Sequence, residues 1–99
     1  MNQVQLKLND AGRGKFYILE GQDQAAEMEV ALADNILTVF HTEVAPAMEG
    51  KGLAKQLLEA MTNHARQHHL KVKPLCSYVH TQFKRHREAY ADIWEKAGV

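Results

Sequence analysis

The chain opens on alternation. Val4, Leu6 and Leu8 are spaced by Gln5, Lys7 and Asn9, the period-two pattern of a strand with one buried face. The run Asn9-Asp10-Ala11-Gly12-Arg13-Gly14 has turn chemistry. Lys15 to Glu20 is aromatic and β-branched enough for a second strand. After a turn at Gly21–Gln24, Ala26, Met28, Val30 and Leu32 alternate as a third strand. Asp34-Asn35 makes a hairpin-type turn, and Ile36 to Val44 forms a fourth strand with Leu37, Val39, His41 and Glu43 expected on one face. The period then changes. Leu53, Leu57, Leu58, Met61 and Ala65 follow helical spacing over Gly52 to His68, with His69 at the stop. Leu70 to Cys76 alternates again as a fifth strand, and Pro74 places that strand at an edge or an end. From Ser77 the chain reads helical, with Val79, Phe83 and Arg87 at four-residue spacing, and a weaker apolar pattern continues through Tyr90, Ile93 and Trp94.

The order is therefore β-β-β-β-α-β-α. Short turns join the first four strands into an antiparallel meander, and the helical crossover makes strands four and five parallel neighbours. The fold class is α/β (α+β): a compact mixed antiparallel and parallel sheet of about five strands with two to three helices. Ninety-nine residues make a single domain, 1–99, whose thin core buries roughly two-thirds of the unfolded surface.

Charge narrows the partners. Twelve basic and twelve acidic residues cancel, so no global field draws the chain to nucleic acid or an anionic membrane. Lys84-Arg85-His86-Arg87 is the one dense basic run. It has no interleaved aromatic platform, which argues against nucleic-acid binding. No apolar run is long enough to span a bilayer, and the N-terminus lacks the regions of a signal peptide. The single cysteine, Cys76, excludes an internal disulfide. A cytoplasmic protein, monomer or homodimer, is the expectation.

The informative stretch is the handover from strand four to the helix, where Gly50-Lys51-Gly52 precede Leu53-Ala54-Lys55. A helix N-terminus presents unpaired amides and a partial positive charge, and glycines let an anion approach the backbone, so such a turn can cradle phosphate oxygens. Plain turn geometry is the alternative use of the glycines. A P-loop would need Gly at position 45 and Ser or Thr after the lysine, where Ala45 and Gly52 stand. A dinucleotide fingerprint would need a small residue in place of Lys55 and an acidic one in place of Cys76 or Ser77.

The third reading rests on resemblance. Glu49-Gly50-Lys51-Gly52-Leu53-Ala54 resembles the acetyl-CoA loop of the GCN5-related N-acetyltransferases, Gln/Arg-x-x-Gly-x-Gly/Ala, with Glu49 departing from the usual Gln or Arg. His41 to Val44, Gly50 to Gly52, Pro74 to Cys76 and Lys84-Arg85-His86, in that order, are similar to a small branch of that superfamily of about a hundred residues. The resemblance covers roughly residues 3 to 95. It implies acetyl-CoA as co-substrate, held by Val44, Glu49, Gly50, Lys51, Gly52, Leu53, Ala54 and Lys55, with Lys84 and Arg85 as further phosphate contacts. It implies an acceptor amine on a small molecule or a protein, and a thioester lying where strands four and five splay apart. Glu49 then adds a negative charge near the expected pyrophosphate.

Acetyl transfer needs a base for the amine, polarisation of the carbonyl, and stabilisation of the leaving thiolate. His41 and Glu43, two apart on one strand, are the candidate bases, or else a solvated strand end. The resemblance to the small branch implies that Cys76 is a candidate acyl acceptor or thiol-side acid, and the alternative is an inert buried thiol. Tyr78 is a candidate acid for the thiolate, with Ser77 a weaker option. Lys84, Arg85 and Arg87 also fit a solvated helix face. His64 and His68 have metal-competent spacing but fall beside the apolar helix face, with no further ligand to complete a set, so no metal is expected. Two function classes follow: an acetyl-CoA-dependent N-acetyltransferase, or a non-catalytic acyl-CoA-binding or protein-interaction module, since only a turn stands at Asn9–Gly14, where larger superfamily members place helices.

Overall fold

A computed structural model describes residues 3–95. Five strands, β1 (Val4–Leu8), β2 (Arg13–Glu20), β3 (Asp23–Ala33), β4 (Ile36–Val44) and β5 (Lys71–Pro74), form one sheet in the order β1-β2-β3-β4-β5. The first four are antiparallel, and β5 lies parallel to β4. Helix α1 (Leu53–Gln67) makes the crossover, and α2 (Ser77–Arg85) and α3 (Arg87–Tyr90) follow β5. Asp34 and Asn35 have φ of 54° and 64°, the left-handed pair that closes a tight hairpin between β3 and β4.

Helix α1 crosses one face of the sheet because its apolar stripe, Leu53, Leu57, Leu58, Met61 and Ala65, is buried together. Phe16 and Ile18 of β2, Met28 and Val30 of β3, Leu37 and Val39 of β4 and Val72 of β5 meet it. Val79 and Phe83 of α2 join the same cluster, and Trp94 closes it, bridging to Val72 along the outer side of β5. Left-handed His69 (φ 55°) turns the chain out of α1.

Three features differ from the sequence pattern. Strand β5 ends at Pro74, so Cys76 caps α2 rather than closing the strand. The C-terminal helix breaks at His86, and Arg87 begins a separate short turn instead of extending the buried Val79–Phe83 stripe. The third feature is a β-bulge. His41 pairs with Glu29 but Val39 pairs with Val30, leaving Phe40 as an extra residue in β4. The extra residue reverses the alternation. Leu37 and Val39 face the core, but beyond the bulge the core side passes to Thr42 and Val44, opposite buried Met28 and Ala26. His41 and Glu43 therefore share the opposite, open face with Glu29 and Glu27, correcting the expectation that they lie on the face of Leu37 and Val39.

Candidate active site

The loop after β4 is built from the backbone outward. The Ala45 amide donates to the Ala25 carbonyl (2.8 Å), fixing the exit of β4 before the short turn Pro46–Met48. Glu49 is extended, and Gly50 and Gly52 follow with φ of 83° and 78°. Left-handed backbone explains both glycines. A Cβ at either would meet no protein atom within 4 Å, so the backbone faces open space. Gly52 is the N-cap of α1, and the first helical hydrogen bond runs from the Gln56 amide to the Gly52 carbonyl (3.1 Å). The amides of Leu53, Ala54 and Lys55 thus precede any intrahelical acceptor, and no side chain caps them. No carboxylate stands in the first turn, while buried Leu53 anchors the helix start to the core. Exposed amides, a helix dipole and the flanking Lys51 and Lys55 fit a diphosphate. Glu49, exposed on the same loop, forms no ion pair among the described residues.

A cleft opens beside it. Strands β4 and β5 pair only as far as Val39 and Pro74. The Val39 carbonyl accepts both the Leu75 amide (3.0 Å) and the Cys76 amide (2.9 Å), turning the chain away into α2. From Phe40 to Val44, β4 continues past the end of β5, paired on its other side with β3. In the gap, Thr42 Oγ1 and Cys76 Sγ lie 3.3 Å apart, with Cys76 only 5% exposed. Tyr78, the second residue of α2, packs against the core. Burial first, with electrostatic contributions from Tyr90, Cys76 and Glu59 behind it, pushes its phenol above the ordinary value of 10.0, so it keeps its proton at neutral pH. Lys71, which begins β5, donates to the Asp92 carbonyl (2.7 Å).

The sequence candidates thus fall into three groups. Cys76, Tyr78 and Val44 lie around the core side of the cleft, together with Thr42, which sequence reasoning missed because the bulge inverts its face. His41 and Glu43 are on the open face, with Nε2 and Oε1 3.9 Å apart and side chains 58% and 67% exposed. Lys84 and Arg85 end α2, near α3, whose Ala89 carbonyl accepts from Arg66 in the last turn of α1 (2.7 Å). That is the opposite end of α1 from Gly50–Gly52, so the structure does not gather these two cations with the loop. The His64 and His68 rings lie 4.3 Å apart, tilted by 39°, and His64 meets the Phe16 ring edge-on. Burial first, and then His68, lowers the His64 pKa below 6.5. Among the described residues no group of three or more His, Cys, Asp or Glu side chains comes together to hold a metal.

Known proteins share this architecture. A GCN5-like protein from Staphylococcus aureus, solved in solution by NMR, superposes with a TM-score of 0.68 at 29% identity, over 96% of this chain and 91% of that one. The ribosomal-protein-S18-alanine N-acetyltransferase of Escherichia coli superposes at 0.60 with 18% identity, over 67% of this chain and 43% of that one. A GNAT-family structure from Desulfovibrio desulfuricans gives 0.58 and 18%, over 78% and 54% of the two chains. At such identities the last two speak to the fold alone. The family model for GCN5-related N-acetyltransferases matches residues 15–93, which include β4, the glycine loop, α1 and the cleft. The chain belongs to the GCN5-related N-acetyltransferase family.

Proposed function

We propose that this protein transfers an acetyl group from acetyl-CoA to a primary amine on a small molecule or protein. The carrying observation is the left-handed Gly50-Lys51-Gly52 entry to an uncapped helix, set beside the separation of β4 and β5. The diphosphate sits on the amides of Leu53 to Lys55, near Lys51, and the acyl arm runs into the cleft past Val44 and Thr42. The amine approaches from the open face, where His41 or Glu43 takes its proton directly or through water. The amine nitrogen attacks the carbonyl carbon, the carbon–sulfur bond breaks, and the departing thiolate takes the Tyr78 proton, which bulk water then replaces. Cys76 holds a hydrogen bond with Thr42 and forms no covalent bond in this direct transfer.

Calorimetric titration with acetyl-CoA should show saturable one-site binding, lost in Gly52→Asp. Absence of binding at millimolar acetyl-CoA overturns the reading.

A second reading is an acyl-CoA-binding or protein-interaction module without turnover. It is favoured by the open acceptor side: only the tight turn Asn9–Gly12, closed by the Asn9 side chain on the Ala11 and Arg13 amides, joins β1 to β2. Turnover with a panel of amines and peptides, lost in His41→Ala, separates the two.

A further inference from the structure

The break in the C-terminal helix creates a concavity of its own. Lys84, Arg85, His86 and Arg87, with Glu88 and Ala89, line an open hollow of about 540 Å³. On an unbroken helix four successive side chains fan out through about a full turn. Here His86 leaves helical geometry (φ −126°, ψ 53°), and all four border one space. That volume lies within the usual range of small-ligand sites.

The hollow is strongly polarised. Three permanent cations and one histidine face a single carboxylate, Glu88, in a chain of zero net charge. Arg13, Lys15 and Arg66 are matched with Glu29, Glu27 and Asp92, whereas Lys84 and Arg85 pair with no carboxylate among the described residues. Two of the groups are braced. The Arg87 guanidinium lies 5.9 Å from the centroid of the buried Trp94 ring, and the His86 ring meets Tyr90 edge-on at 6.5 Å. Bracing reduces the side-chain entropy lost on binding, and guanidinium forks match phosphate oxygens.

Position separates this hollow from the glycine loop. Ala89, on its rim, accepts a hydrogen bond from Arg66, fourteen positions along α1 from Gly52. At 1.5 Å of rise per residue the two ends of α1 are roughly 20 Å apart. The geometry points to a second anion site, distinct from Gly50–Lys55, in which Lys84, Arg85 and Arg87 bind a compact diphosphate group. Free pyrophosphate and a nucleoside diphosphate share that chemistry. A polynucleotide fits poorly, because the nearby aromatic rings of Phe83 and Trp94 are buried and offer no stacking platform.

The test is a titration of the ¹⁵N-labelled protein with inorganic pyrophosphate, with ADP and with a short oligouridylate, reading amide shifts, each with and without saturating acetyl-CoA. Pyrophosphate should give saturable shifts centred on residues 84–89, with affinity unchanged by acetyl-CoA. Lys84→Gln with Arg85→Gln should weaken it about tenfold or more, since two charge-assisted contacts are lost. Equal affinity for ADP assigns recognition to the phosphates, and tighter ADP binding assigns a nucleotide; both support the site. Displacement of pyrophosphate by acetyl-CoA, shifts spread over all surface lysines, tighter binding of the oligouridylate, or no shift at millimolar pyrophosphate each overturns it. The pyrophosphate reading needs no acetyl-CoA binding, so this inference and the proposed acetyl transfer fail separately.

Discussion

The Thr42 hydroxyl and the Cys76 thiol lie 3.3 Å apart across the gap where β4 and β5 part, joining two residues thirty-four positions apart in sequence. The contact exists because the Phe40 bulge turns Thr42 to the core side and the Val39 carbonyl holds the Cys76 amide. A neutral hydrogen bond of this kind is worth about 1 kcal/mol. Thr42→Val keeps the volume and should cost no more than that in chemical denaturation. Direct transfer leaves no acetyl group on the enzyme. Intact mass after incubation with acetyl-CoA should be unchanged, and Cys76→Ser should lose less than about tenfold in turnover, or about 1.4 kcal/mol of barrier. One acetyl group mapped to Cys76, with an inactive Cys76→Ser, would replace direct transfer by a covalent intermediate.

Gly52 separates backbone strain from charge. A side chain at φ 78° costs about 1–2 kcal/mol wherever it points. Gly52→Ala and Gly52→Asp should therefore lose similar stability in urea melts. Their binding should diverge: alanine leaves the helix amides available, whereas aspartate places a carboxylate among them. If calorimetry gives both variants the same acetyl-CoA affinity, the loop is a turn and not an anion site.

Glu49 tests the same site with the opposite sign. It is exposed on the loop and carries a negative charge where a diphosphate is proposed to sit. Glu49→Gln should tighten acetyl-CoA binding by about threefold to tenfold at low salt. The gain should shrink toward unity near 1 M salt, where the Debye length is about 3 Å. An unchanged dissociation constant at low salt would place the diphosphate elsewhere.

Much of this architecture is legible in the chain because it rests on periodicity. Strands β2 and β3 and helix α1 each bury an apolar set, and local periodicity reports that directly, whereas β1 buries Val4 and Leu8 only in part and leaves Leu6 exposed. The bulge escapes because inserting Phe40 leaves the apolar and polar letters of β4 unchanged while exchanging their faces. The bulge therefore conceals Thr42 and puts His41 and Glu43 on the face opposite the one their spacing predicts. The break at His86 escapes too, since Lys84-Arg85-His86-Arg87 contains no Gly or Pro to mark it. Lys84 and Arg85, which the resemblance assigns to the cofactor phosphates, lie at the end of α2 beside α3, toward the last turn of α1 rather than its glycine-loop end.

His64 makes stability pH-dependent. Its pKa is lowered from 6.5 by burial and by His68, so the unfolded chain binds the proton more readily than the fold. Its contribution is present in full above about pH 7.5 and is lost as the pH falls through 6.5 toward the depressed folded value. Between about pH 7.5 and 5.5, the wild type should lose stability more steeply than His64→Gln. Equal slopes in urea melts across that window would show that the Phe16 and His68 contacts do not disfavour the charged imidazole.

Tyr78 links stability and chemistry in one side chain. Its phenol is raised above 10.0, chiefly by burial, so the neutral form is favoured in the fold. The corresponding stability is present at neutral pH and is lost as the pH rises past about 10. Tyr78→Phe should remove that alkaline part of the stability profile while leaving neutral stability nearly unchanged. The same substitution deprives the departing thiolate of its proton donor, a loss of roughly 10- to 100-fold in kcat with KM little altered. The two readouts check each other. A flattened alkaline profile with full kcat would leave Tyr78 as a packing residue and pass the thiolate proton to water or to Ser77, which begins α2 beside it.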